Sequence, residues 1–216
     1  GRQFPMTYAE RASRWSRRFV LAGAGLLVVW QAGEVVGIAR RTAVPLGVIG
    51  FVLHTVFGKA YALVPPYFDR DLATTRFMPV HLASSLSGTL LLAGAAEATA
   101  RGLAPERLRD LAAFGGAALW LAGVVVFLGT LGWSVRGNPL GRETGTGEAN
   151  ADRRPIDSAA NLAMPVAFAY LALGSYALLA GHAPLPPLLD GYPPRATHLL
   201  AAGFAMLTLF AVGFRL

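Results

Sequence analysis

No cysteine occurs in the 216 residues. Disulfides, thiolate metal sites, iron–sulfur clusters and cysteine nucleophiles are all excluded by that one absence. Charge is scarce as well: charged residues make up 14% of the chain, against about 25% in an ordinary soluble domain. Lysine occurs once, at Lys59. Missing too are a Gly-rich phosphate loop, a nucleophile elbow and paired acid–base carboxylates in a polar setting, so soluble-enzyme chemistry has no motif to rest on. No catalytic residue is assigned.

What fills the chain instead is apolar sequence, 54% of all residues, with a mean hydropathy of +0.48. The net charge of +7 would point to nucleic acid if it formed a stripe with interleaved aromatics. Here the basic residues fall between apolar runs, which is the pattern that orients a chain in a bilayer, and no nucleic-acid partner is expected. A membrane span needs about 20 mostly apolar residues. Six windows meet this: Phe19 to Ala39, Val44 to Val64, Met78 to Ala98, Leu111 to Gly132, Ser158 to Ala180 and Ala196 to Leu216. The expected fold is therefore all-α, a single polytopic membrane domain over residues 1–216 with six transmembrane helices. A large soluble bundle with six wholly apolar helices is the disfavoured alternative.

Turn-forming segments separate the windows, among them Pro65-Pro66-Tyr-Phe-Asp-Arg70 and the proline-rich run from Pro184 to Pro194. The connector from Ser134 to Asp157 holds Gly137, Gly141, Gly145 and Gly147 with mixed charge, and is expected to be mobile. The basic run Arg11 to Arg18 precedes a span too long for a signal-peptide core. Met6 is a candidate natural start, and the window ending at Leu216 without a polar tail suggests a piece of a longer chain.

Orientation follows from the arginines. Arg2, Arg11, Arg14, Arg17, Arg18, Arg70, Arg76, Arg136, Arg142, Arg153, Arg154 and Arg215 fall on one side; Arg40, Arg41, Arg101, Arg107, Arg109 and Arg195 fall on the other. This two-to-one bias places both termini on the cytoplasmic side of the cell membrane. Lys59 can snorkel from the second span to that same surface.

Ionisable groups inside spans are costly and mark candidate sites. Gln31 and Glu34 share a face of the first span and are candidates for a proton path. His54 lies in the second span between Gly50 and Gly58, a stripe that lets another helix or a flat ligand approach the imidazole. His81, Ser85 and Gly88 share a face of the third span, and His198 lies near the outer end of the sixth. At 1.5 Å per residue, Glu34 is about 7 Å, Gln31 about 12 Å, His54 about 15 Å and His198 about 3 Å from the outer ends of their spans. Glu34, Gln31 and His54 are thus level enough to meet. His81 sits near the inner end if its helix starts at Met78, and is then not level with His54.

The stretch FGKAYALVPPYFDRDLATTRFMPVHLASSLSGTLLL, residues 57–92, resembles the penultimate and last core helices of haem-copper oxidase subunit I. In that family a helix with glycine and aromatics ends in proline, a short loop with an arginine and a leucine follows, and a histidine opens the next helix. Phe57-Gly58, Tyr61, Pro66, Arg70, Leu72 and His81 occupy comparable places. The NnrS-like haem and copper membrane proteins are similar in layout. His198-Leu-Leu-Ala-Ala-Gly-Phe looks like the start of a second such unit. The adjacent His-His pair, the His-Pro-x-x-Tyr copper motif and the His-x-His haem pair of the oxidases are not present, so oxygen reduction is not expected.

The resemblance implies a haem- or metal-binding membrane protein of electron transfer, sensing or respiratory-complex support. His54, His81 and His198 are its candidate haem-binding residues, and His54 and His198 its candidate copper ligands. A proton-linked carrier or channel for a small solute or ion, using Glu34 and His54, is the competing expectation. A third is a scaffold or assembly subunit whose Gly- and Ala-rich fourth and fifth spans pack on other membrane subunits or on a second copy. The lipid bilayer is a partner in every case.

Overall fold

The computed structural model describes residues 8–141, 154–188 and 194–213. The Met6 start, the middle of the connector after Ser134, residues 189–193 of the proline-rich loop and the end at Leu216 lie outside these residues. Six helices are long and apolar enough to cross a membrane, and the described residues contain no strand. The chain is an all-helical, multi-pass membrane protein.

Helix α1 is Tyr8–Val36. Helix α2 runs over Arg40–Tyr67 and changes winding twice: α-helical over Arg40–Val44, π-helical over Pro45–Leu53, and α-helical again over His54–Tyr67. Helix α3 is Met78–Ala100, α4 Glu106–Val135 and α5 Arg154–Ala180. Helix α6 repeats the pattern of α2, with Pro194–His198 α-helical, Leu199–Met206 π-helical and Leu207–Gly213 α-helical. The expected windows are all recovered, most of them longer than the apolar run alone. Polar first turns such as Glu106 to Asp110 extend the helices past the apolar stretch. Helix α3 starts at Met78 with Pro79 in its first turn, where the missing proline N–H costs no hydrogen bond.

Two π-helical segments of eight and nine residues were not foreseen. Each contains a Gly-Phe step, Gly50-Phe51 and Gly203-Phe204, and the two segments touch. Such segments are rare, mostly single-turn bulges, and often lie at functional sites. Here one ends directly at His54 and the other begins directly after His198.

Small residues set how closely the helices pack, as expected where the lipid supplies no hydrophobic drive. Helices α3 and α4 make the most extensive contact. At their crossing, a Cβ on Gly88 would lie 2.7 Å from both the Gly116 carbonyl oxygen and the Trp120 amide nitrogen. The Gly50–His54–Gly58 stripe faces α1: a Cβ on Gly58 would meet the Ser16 carbonyl oxygen at 2.6 Å, and one on Gly50 the Leu26 side chain at 3.0 Å. The approaching element allowed by that stripe is therefore a helix of the same chain. On the opposite face α1 leaves Leu21 69% and Val35 88% exposed, as lipid-facing positions should be.

The α1–α2 corner is tied to the end of α3 by Glu97. Its carboxylate accepts hydrogen bonds from the Ala39 amide at 3.0 Å and the Thr42 hydroxyl at 2.6 Å, and pairs with Arg101. Arg101 in turn donates to the Gly37 carbonyl. Gly37 holds φ +75°, a backbone conformation that glycine adopts without a Cβ clash. Replacing Glu97 by Ala leaves the first turn of α2 without its acceptor. The melting temperature in detergent is expected to fall by a few degrees, and by less for Glu97→Gln, which keeps one acceptor oxygen.

Candidate buried histidine site

The second and third helices run antiparallel. Their register brings His54 opposite Ser85 and Tyr61 opposite His81: His54 Nε2 is 3.1 Å from the Ser85 hydroxyl, and the Tyr61 hydroxyl is 2.9 Å from His81 Nδ1. His81 and Ser85 lie four residues apart on one face of α3, so the two imidazoles differ in level by only about 6 Å along it. Sequence depth had kept them apart, because it was counted from the span ends. Both rings are wholly buried, at 0% exposure.

The tautomer of His54 follows from its partners. Nδ1 lies 3.0 Å from the Ile49 carbonyl oxygen, five residues back, at the π-helical spacing. A carbonyl oxygen can only accept, so Nδ1 carries the proton and donates it. Nε2 then presents its lone pair and accepts from Ser85. That serine has a second acceptor, the Leu82 carbonyl at 3.3 Å, to which its hydroxyl can turn.

His81 is held differently. Four aromatic rings surround it: Phe19 and Phe57 with centroids 4.7 Å away, Phe127 at 5.4 Å and Tyr61 at 5.8 Å. Its second nitrogen, Nε2, is buried and has no hydrogen-bond partner. The Tyr61 hydroxyl can donate to Nδ1 or accept from it, which leaves two arrangements. When Tyr61 donates to Nδ1, Nε2 carries an N–H with no acceptor. When Nδ1 donates to Tyr61, Nε2 carries a bare lone pair. Either way a buried polar atom is left unmet, at a cost of about 1–3 kcal/mol.

Phe57 is the hub, in contact with Phe19, His54, His81, Trp120, Phe127 and Phe204. Trp120 lies 6.2 Å from the His54 ring and donates its indole N–H to Ser175 on α5 at 3.0 Å. A Cβ on Gly123 would meet His81 Cδ2 at 3.2 Å, so the glycine is where α4 makes room for the imidazole. Further along α4 the Thr130 carbonyl accepts from Ser134, whose hydroxyl accepts from the Ala73 amide in the α2–α3 loop.

The other expected site residues lie elsewhere. The anticipated meeting of Gln31 and Glu34 with His54 does not occur: both are exposed on α1, and Glu34 accepts from the Trp30 indole at 2.8 Å. Trp30 is pinned against Gly47, which keeps the carboxylate at the rim. His198 is exposed at the end of the first turns of α6, apart from the buried pair. Among the described residues no group of three His, Asp or Glu side chains is placed to hold a metal. Ser85, foreseen on the His81 face, is a true partner. Tyr61, quoted only for its spacing, is the partner that sequence reasoning missed, along with the cage from Phe19, Phe57 and Phe127; aromatics at helical spacing carry no local mark of which histidine they will enclose.

Set against family models, curated proteins and solved structures, the chain matches none.

Proposed function

We propose that this chain is a multi-pass protein of the cell membrane, with cytoplasmic termini, that holds a redox-active metal on His81 and His54. Its role on this reading is electron transfer, sensing or support of a respiratory complex. The observation that carries the proposal is His81 Nε2, a fully buried imidazole nitrogen with no partner. A ligand there removes the cost of an unmet polar atom. His54 Nε2, one turn away along the facing helix, is the second candidate donor, because Ser85 has the Leu82 carbonyl to turn to.

The donor set decides between metals. Two imidazoles with no third His, Asp or Glu beside them among the described residues do not suit structural zinc, which takes four ligands. Copper and haem iron both accept imidazole. The rings of Phe19, Phe57 and Phe127 sheathe His81, so a macrocycle at Nε2 requires them to part, whereas a single ion needs far less room. That packing favours copper over haem. Bound copper supplies one-electron chemistry, while the chain holds the imidazoles, keeps water away and, through Tyr61, sets the proton on His81 Nδ1.

Metal analysis and an absorbance spectrum of protein from copper- and haem-replete cells test this. The expected result is about one copper per chain; a Soret band would assign haem instead, and a colourless, metal-free preparation would contradict the proposal.

A second reading, a proton-linked carrier, is favoured by the buried hydrogen bond between His81 and Tyr61. It moves the proton path from Glu34 to Tyr61. Flux into liposomes that falls in Tyr61→Phe, with no metal bound, would support it.

A further inference from the structure

A cleft of about 450 Å³ opens between the first turns of α1, the last turns of α2 and the loop that follows α2. Three cations line it, Arg17, Lys59 and Arg70, against one carboxylate, Asp71. The hydroxyl-bearing Ser13 is on its wall, and Leu63 and Pro66 supply apolar surface. The cleft lies at the level where the apolar run of α1 gives way to its basic start, since Arg17 immediately precedes Arg18 and Phe19. Aromatic residues mark the same level: the Arg18 guanidinium stacks 4.3 Å over Trp15, and at the end of α4 Arg136 stacks 4.1 Å over Trp133. Such aromatics sit among lipid headgroups.

Lys59 gives the cleft depth. It lies eight residues before the end of α2 at Tyr67, about 12 Å into the span, whereas Arg70 is in the loop beyond that end. A cation ladder of this length, flanked by apolar wall, matches a phosphate group with its glycerol and the start of acyl chains. Basic pockets between spans are the usual receptors of anionic headgroups.

We infer that the cleft between α1 and α2 binds a phosphate group, held by Arg17 and Lys59, and that an anionic phospholipid headgroup or free phosphate can supply it. The inference is independent of the metal on the histidine pair.

Native mass spectrometry of delipidated protein in detergent tests it, with phosphatidylglycerol, phosphatidylcholine and inorganic phosphate added in separate arms. Phosphatidylglycerol is expected to bind the wild type about tenfold or more tightly than it binds Arg17→Gln/Lys59→Gln. Arg136→Gln, at the same membrane face, should leave binding unchanged, and unaltered melting temperatures would show the folds intact. Saturation by inorganic phosphate alone, lost in the double variant, would support the site with free phosphate as its source. Equal binding of phosphatidylcholine and phosphatidylglycerol, or equal binding by wild type and double variant, would overturn it.

Discussion

Gly88→Leu is expected to abolish the folded protein or lower its stability by at least about 3 kcal/mol, at or beyond the upper end of ordinary overpacking costs. The reason is that the obstacle is backbone. A Cβ at position 88 would stand 2.7 Å from the Gly116 carbonyl oxygen and 2.7 Å from the Trp120 amide nitrogen, and neither can swing aside as a side chain could. The α3–α4 contact, the most extensive in the protein, has to open. Ser85, one turn earlier, moves with it and loses its alignment with His54. Gly94→Leu is the control on the same helix, because nothing lies within 4 Å of a Cβ there; its stability should stay within about 0.5 kcal/mol of wild type. Thermal unfolding in detergent, followed by size-exclusion chromatography, separates the two outcomes. A Gly88→Leu protein as stable as Gly94→Leu would mean that the two helices do not cross at Gly88.

Phe57→Ala is expected to cost about 3–5 kcal/mol. The ring is completely buried and touches six other aromatic or imidazole rings drawn from α1, α2, α3, α4 and α6, so five helices lose a common contact. In the bilayer this loss is chiefly van der Waals packing, since lipid and protein interior are similarly apolar. The cavity would also border both histidines, loosening the cage that holds His81. Phe57→Leu should recover most of the stability. If Phe57→Ala unfolds at the wild-type temperature, the aromatic cluster is not a structural centre.

Much of this architecture is legible in the residues. The six spans follow from apolar runs of sufficient length, and the His81–Ser85–Gly88 face follows from helical spacing; all three residues of that face are buried. The glycine stripe around His54 was readable as a close-approach surface, and α1 fills that role. What spacing within one helix cannot encode is the register between two. Tyr61 meets His81 because α2 and α3 pair antiparallel with Ser85 opposite His54, and that alignment is set by the loop at Phe68 to Phe77 and by Asn138, whose amide donates to the Phe68 carbonyl at 3.0 Å. Depth counting failed for the same reason. Glu34 does not have the level to meet His54, because α1 sets Phe19 and Gly23 beside that part of α2 and Trp30 against Gly47, which leaves Glu34 more than ten residues further along α1, at the rim with Trp30. The π-helical segments have no local signature beyond their Gly-Phe steps, yet one of them aims His54 Nδ1 at the Ile49 carbonyl.

The central claim is that His81, together with His54, is a ligand site. Metal stoichiometry in wild type, His81→Ala and His198→Ala, each purified from copper- and haem-replete cells, tests it most directly. The account predicts about one metal or haem per chain in wild type and in His198→Ala, and essentially none in His81→Ala. Equal loading of wild type and His81→Ala, or loss of the metal only in His198→Ala, would contradict it.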